Sequence, residues 1–272
     1  DDSVVFQTAT TDIDTGNLSV TAGTITGTGA AVIVGGTTTL TAGTGTINLN
    51  NAGNDFQGNV TVVSGGTTTI RDTNALTLAD SSTSGTTTLT AGTNLTLNNL
   101  NASGQTVSLT ATAGSIIDGN GGTNNLTATS LTASAATGID LDTTITTLAS
   151  ATTTGSGAIN ISDSAGGLNV TSVSSNDGTV TLNATGGNLT IGTSVSAGGN
   201  NNVLLTTTTS GNVILTGTTS AAANQVTITS AAGINGAGLV VASTIDLNAA
   251  SGIGNTTQLE LIGSTITADT TT

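Results

Sequence analysis

Along much of the chain, two apolar residues flank a third residue, and these triplets recur at regular spacing. In the second half they fall into two interleaved series. One runs `INI` from Ile159, `VTL` from Val180, `VLL` from Val203, `VTI` from Val226 and `IDL` from Ile245. The other runs `LNV` from Leu168, `LTI` from Leu189, `VIL` from Val213, `LVV` from Leu239 and `LEL` from Leu259. A period of two marks a strand with one buried face. Within each series the step is about 20 to 26 residues, which is the spacing of a solenoid. No long stretch carries apolar residues at three-and-four spacing, and Gly and Thr recur too often for helices.

Between the triplets lie clusters such as `SAGG` at 164–167, `SSNDG` at 174–178, `ATGGN` at 184–188 and `SAGGN` at 196–200. Gly accepts positive φ, and Asn and Asp bond their own backbone, so these are corners. Two-residue hairpin turns are nearly absent between triplets, which disfavours an antiparallel meander. The unit reads strand, corner, strand, corner, with a third short strand such as `SVS` at 194–196. The prediction is an all-β, parallel β-helix solenoid of about 12 coils, forming one continuous segment over residues 1–272. Val, Ile, Leu and Ala would stack inside, with Thr, Ser and Asn ladders outside. The phrase `TTTLTAGTGTINLNN` from Thr37 returns as `TTTLTAGTNLTLNN` from Thr86. The offset of about fifty suits two coils, so the two phrases are expected to occupy equivalent positions along the stack.

Composition narrows the function classes. There is no His, Cys, Pro, Met, Trp or Tyr, and Arg71 is the one basic residue. Charged residues are 6%, and apolar residues, largely Val, Ile, Leu and Ala, are 35%. A disordered chain would reverse that balance. A net charge of −14 opposes nucleic acid and anionic membrane, because phosphates need Lys or Arg to neutralise them. No apolar run approaches the ~18 residues that span a bilayer as a helix. The opening `DDSVVFQ` has neither the basic region nor the apolar core of a signal peptide, as expected of a mature or excised segment.

Residues 51–80 read `NAGNDFQGNVTVVSGGTTTIRDTNALTLAD`. This resembles the strand repeats of filamentous haemagglutinin-like exoproteins and related giant bacterial surface adhesins. In that family `ND-F-x-G-x-V-x-V`, a Gly-rich turn and `D-x-N-A-L-x-L` recur. The matching positions are Asn54, Asp55, Phe56, Gly58, Val60 and Val62, then Asp72, Asn74, Ala75, Leu76 and Leu78. The `L-x-A-G` phrases at Leu40 and Leu89 are similar to its repeats. The resemblance implies a right-handed parallel β-helix on the cell exterior, serving as adhesin, stalk or matrix fibre. The family's secretion domain and toxin-type domains have no counterpart in the chain.

Candidate chemistry is sparse. Without His or Cys there is no nucleophilic triad and no zinc site of the usual N/S type. The pairs Asp12 with Asp14, and Asp140 with Asp142, sit two apart and would share a strand face. Sugar-cleaving pairs normally add aromatic and basic residues, which this chain lacks, so an enzyme is not expected. Calcium takes six to eight oxygens. Its candidates are Asp118, Asn120 and Asn124 in `SIIDGNGGTNN`, together with Asp140 and Asp142, although no complete calcium-loop motif is present. Thr67–Thr69, Thr86–Thr88 and Thr206–Thr209 raise ice binding, but the runs drift in phase. Asn-x-Ser/Thr triplets, as at Asn59, Asn94, Asn125, Asn169 and Asn188, are at the frequency chance gives. Arg71 is expected to pair with Asp72 or an acid of a neighbouring coil at the surface. No polar cap is evident at either end, which suits stacking on neighbouring copies or on flanking repeats of the same chain. The expectation is therefore an extracellular structural repeat segment of an adhesin, stalk or fibre, whose other partners are surface glycans or receptors on host or other cells. A self-assembling filament subunit and a calcium- or ice-binding module are the alternatives.

Overall fold

The computed structural model describes residues 2–271. Every described element is a strand, and the chain is a parallel β-solenoid of about 13 turns. It divides into two compact units, Asp1–Leu131 and Thr132–Thr272.

In the first unit each turn carries three short strands. One face stacks Ser3–Val5, Thr24–Thr26, Ile47–Leu49, Thr68–Asp72 and Thr87–Ala91, all parallel. A second face carries Thr11–Asp12, Val32–Val34 and Asp55–Phe56, then Leu76–Leu78, Leu95–Leu97 and Ser115–Asp118. A third carries Leu18–Thr21, Thr38–Gly43, Val60–Ser64 and Ser81–Thr83. One turn takes 19 residues where Thr68 pairs with Thr87, and 22 where Ile25 pairs with Ile47.

The second unit follows the same plan. Ile139, Ile159, Val180, Val203, Val226, Ile245 and Ile266 lie in one column. From Ile159 to Ile245 this column is wholly buried, as is the neighbouring column Ile161, Leu182, Leu205, Ile228 and Leu247. These are the first and last residues of the first predicted series of triplets. Burying each such side chain contributes about 1.5–3 kcal/mol. Residues 194–196, expected as a separate short strand, instead form the latter part of the Leu189–Ala197 strand, with Val195 stacked between Val173 and Thr219.

Two expectations are corrected. The second series holds through Leu168, Leu189 and Val213, but the next rungs are Ile234 and Ile253. Leu239 instead pairs with Glu260, on the face that carries Thr219 and Val240. There the Gly233–Asn235 strand carries a single Ile in place of an apolar triplet, so the rung has no triplet to mark it. The repeated phrases also do not occupy equivalent positions. Thr38–Gly43 pairs with Leu18–Thr21 and Val60–Ser64, whereas Thr87–Ala91 pairs with Thr68–Asp72 and Val107–Ala111. The phrase encodes one strand and one corner, and all three faces ask for the same alternation. It can therefore recur a third of a turn out of phase.

Glycine does more at the corners than bend the chain. Gly23, Gly45, Gly66 and Gly85 form a column at one corner. A Cβ on Gly45 would run into the Gly23 carbonyl, one on Gly66 into the Gly45 carbonyl, and one on Gly85 into Gly66. Gly16, Gly36 and Gly58 repeat this at another corner, and Gly166, Gly187 and Gly211 do so in the second unit.

Candidate functional site

Several of the polar side chains that the fold buries lie at strand ends, beside the corners. The `NDF` and `DTNAL` phrases meet at one of them. Asn54 is fully buried; its Oδ1 accepts the Val32 N–H at 2.9 Å and its Nδ2 donates to the Leu49 carbonyl at 2.9 Å. One turn later Asp72 closes the Thr68–Asp72 strand, pointing inward in phase with Thr68 and Ile70. Its Oδ2 accepts the Phe56 N–H at 2.8 Å and its Oδ1 the Asn74 N–H at 2.6 Å. Phe56 is buried beside it. Burial pushes the Asp72 carboxyl up to about 6; the two N–H donors work against that shift and Asp55 adds repulsion. The expected surface pair of Arg71 with Asp72 is not what forms. Successive residues of a strand face opposite ways, so Arg71 is exposed while Asp72 is inside.

The second unit holds the same device. Asp163 ends the Ile159–Asp163 strand and is buried. Its Oδ1 accepts the Ile145 N–H at 2.8 Å and the Thr143 hydroxyl at 2.9 Å, and its Oδ2 accepts the Ala165 N–H at 3.0 Å. Burial raises its carboxyl, with those three donors opposing. Composition gave no sign of Asp163. The signal was its phase, since `INISD` places it two residues after Ile161 on the apolar side.

The calcium candidates are brought together only in part. Asp118, Asn120 and Asn124 do lie around one corner, but its centre is taken by an amide. Asn125, fully buried, directs Nδ2 at Asp118 Oδ1 (2.8 Å), Asn120 Oδ1 (3.0 Å), the Leu97 carbonyl (3.1 Å) and the Asn98 carbonyl (3.3 Å). Asp118 Oδ1 also accepts the N–H groups of Asn120 and Gly121. Burial pushes the Asp118 carboxyl up, but the donors from Asn125, Asn120 and Gly121 outweigh it and the value falls below the ordinary range. Asp118 Oδ1 and Asn120 Oδ1 are thus already serving N–H donors. Asp140 and Asp142 share the outward face of their strand as expected, opposite Asn160 and Ser162. Asp140 accepts from Asn160 Nδ2 at 2.8 Å. Among the described residues no three carboxylates gather into a metal-sized group. Asp12 and Asp14 do not share a strand face. The strand ends at Asp12, whose Oδ1 takes the Asp14 N–H, and Asp14 turns left-handed at φ 48°.

The threonine runs are closer in phase than the sequence suggested. Thr69 stacks on Thr88 and Thr88 on Ser108, while Arg71, Thr90 and Thr110 form the adjoining column. The middle residues Thr68 and Thr87 point inward and are buried. On the third face Ser19, Thr39 and Thr61 stack beside Thr21, Thr41 and Val63. Thr206 lies outward opposite Asn183 and Thr229, and Thr209 is a left-handed turn residue. Asn125 of the Asn-x-Ser/Thr triplets is buried, whereas Asn59, Asn94, Asn169 and Asn188 are exposed. In the second unit an open groove of about 400 Å³ is lined by Asn212, Ile214, Thr216, Asn235, Thr256 and neighbours. Its amide oxygens already cap the N–H groups of Gly233 and Thr256.

A family described as repeats of unknown function (DUF5649) matches residues 2–63. No curated protein and no solved structure matches the chain. The matched repeat region covers the first turns of the stack and includes Asn54 and Phe56, but stops short of Asp72. In this structure the repeat is therefore seen with half of the corner lock inside the matched residues and half one turn beyond them.

Proposed function

We propose that the chain is a structural repeat segment of an extracellular bacterial adhesin, stalk or surface fibre, supplying reach and durability. The observation that carries this reading is the in-register stacking within each unit. Equivalent residues lie on one another turn after turn, in ladders such as Ile159, Val180, Val203, Val226 and Ile245. Each turn adds about 4.8 Å of axial rise. Such a stack turns chain length into distance, and its strength grows with the number of neighbouring turns. The resemblance of residues 51–80 to adhesin repeats supports the same setting. The outer faces offer hydroxyl and amide groups with few charges, which suits broad contact with surface glycans. Immunogold labelling of intact cells of the source organism tests this reading. Label outside the envelope is expected; label that appears only after permeabilisation sinks it.

A second reading rests on the threonine rungs. Thr88 with Thr90, above Ser108 with Thr110, forms a small flat hydroxyl array of the kind that meets an ice lattice. Measurable thermal hysteresis is expected on that reading, and its absence at millimolar protein rejects it.

A further inference from the structure

Arg71 is the one basic residue in a chain with 15 acids, yet among the described residues none of them pairs with it. Strand alternation sends Asp72 inside and leaves Arg71 exposed near the end of the Thr68–Asp72 strand. Asp55 lies on another face, in the Asp55–Phe56 strand. The rungs that follow Arg71 are Thr90 and then Thr110, and the outward column beside it runs Asn48, Thr69, Thr88 and Ser108. All of these are uncharged. Among the described residues the Arg71 guanidinium makes no hydrogen bond, and neither do the side-chain hydroxyls of Thr69, Thr88, Thr90, Ser108 and Thr110. Outward hydroxyls in the second unit behave otherwise. Ser172 bonds Ser194 at 3.2 Å, Ser196 bonds Ser174 at 3.2 Å and Thr185 bonds Thr208 at 3.1 Å, each across one turn. The face around Arg71 thus combines a free cation with free hydroxyls, in two columns whose rungs are about 4.8 Å apart.

We propose that this face, centred on Arg71 and flanked by Thr69, Thr88 and Thr90, binds a carboxylate-bearing sugar of an otherwise uncharged glycan. The proposal rests on the reading of the chain as an extracellular segment and assigns its glycan contact to one place. A guanidinium presents a planar fork of N–H donors that matches the two oxygens of a carboxylate. The hydroxyls beside it both donate and accept, as sugar hydroxyls do. The charge of the whole chain limits the ligand. At −14 the protein repels a polyanion, and one Arg cannot neutralise a run of phosphates or sulfates. A ligand with a single negative charge meets far less of that repulsion and keeps the ion pair. A second copy of the chain fits worse, since one Arg would face the full negative charge of its partner. An exposed ion pair is weak by itself, so the hydroxyl contacts must add to it. The charged and the neutral parts of the ligand are therefore both needed.

The chain has one arginine, so the Nε–H signal of an arginine side chain in its NMR spectrum belongs to Arg71 alone. The test titrates the intact chain with cellobiouronate, a disaccharide carrying one carboxylate. Parallel titrations use uncharged cellobiose and sodium sulfate at matched ionic strength. Cellobiouronate is expected to move the Arg71 Nε–H and the backbone amides of Thr88 and Thr90 in a saturable way, and the other two are not. Arg71→Gln removes no contact within the protein, so it is expected to keep the fold and to weaken that binding about tenfold or more, read from the Thr90 amide. No saturable shift with cellobiouronate, an equal response to cellobiose or to sulfate, or undiminished binding by Arg71→Gln overturns the proposal. The outcome is separate from that of immunogold labelling. A silent titration would leave label outside the envelope unexplained by this face but still in place, and label only inside would sink the extracellular reading whatever the titration gave.

Discussion

At the scale of single residues, position within the strand period decides what a polar side chain does. Asn54 and Asp55 are neighbours, yet Asn54 is fully buried and bonds two strands while Asp55 is only partly covered. Asn54→Ala would leave the Val32 N–H and the Leu49 carbonyl unpaired in the interior. The expected loss is about 2–4 kcal/mol, read from urea unfolding, with Asp55→Asn nearly neutral. Buried threonines separate in the same way. Thr87 shares a 2.7 Å hydrogen bond with Thr83, whereas the hydroxyls of Thr38, Thr68 and Thr219 have no partner. A buried hydroxyl without a partner costs free energy, and valine has nearly the same shape. Thr38→Val, Thr68→Val and Thr219→Val are each expected to stabilise by about 1 kcal/mol, and Thr87→Val to destabilise. If the first three also destabilise, these hydroxyls have partners that the geometry does not reveal.

At the scale of strand and corner, a turn is three copies of one design joined by glycine. Where Gly66 lies against the Gly45 carbonyl, a methyl group forces two turns apart. Gly66→Ala is expected to cost about 1–3 kcal/mol by overpacking. Gly192→Ala, exposed on its strand and meeting only the Val170 carbonyl at 3.3 Å, is expected to cost less. Equal losses would show that the corner column tolerates a side chain. This scale also separates what the sequence made legible from what it hid. Strand identity, the roughly 20-residue turn and the inward residues at Ile159, Val180 and Val203 follow from period-two alternation, which physics enforces wherever one face is buried. Which face a strand joins does not follow, because all three faces carry the same alternation. That is why `TTTLTAG` recurs on different faces and why Leu239 joins a column other than that of Val213. The site was legible in its residues and not in its wiring. `NDF` and `DTN` stood out as phrases, but the bond from the Phe56 N–H to Asp72 joins residues 16 apart through a turn of the solenoid. Asn125 was equally hidden, since nothing in `TNNLT` tells which Asn enters the corner and bonds Asp118 and Asn120.

At the scale of the whole chain, charge is the term that nothing local balances. The net charge is −14 and Arg71 is the one basic residue, so the acids have no set of counter-charges. In the second unit Asp140, Asp142, Asp246 and Asp269 point outward along adjoining columns, separated by uncharged Asn, Ser, Thr and Leu rungs. Spacing them along the stack lowers their repulsion without removing it. Folding brings these charges closer than an open chain would, so screening should favour the folded state. The screening length falls from about 30 Å at 0.01 M salt to about 10 Å at 0.1 M, which spans several rungs of about 4.8 Å. The melting midpoint at pH 8 is expected to rise between 0.01 M and 0.3 M sodium chloride. The divalent case distinguishes screening from a site. Asp118 Oδ1 and Asn120 Oδ1 are engaged by Asn125, so a calcium ion would have to compete with that amide. Calcium chloride matched to sodium chloride in ionic strength is expected to give the same midpoint, and chelator to change nothing. A midpoint that climbs further with calcium at matched ionic strength would mean that the Asn125 amide yields its place to the ion. A midpoint indifferent to sodium chloride would mean that the outward acids are too far apart to repel one another in the folded chain.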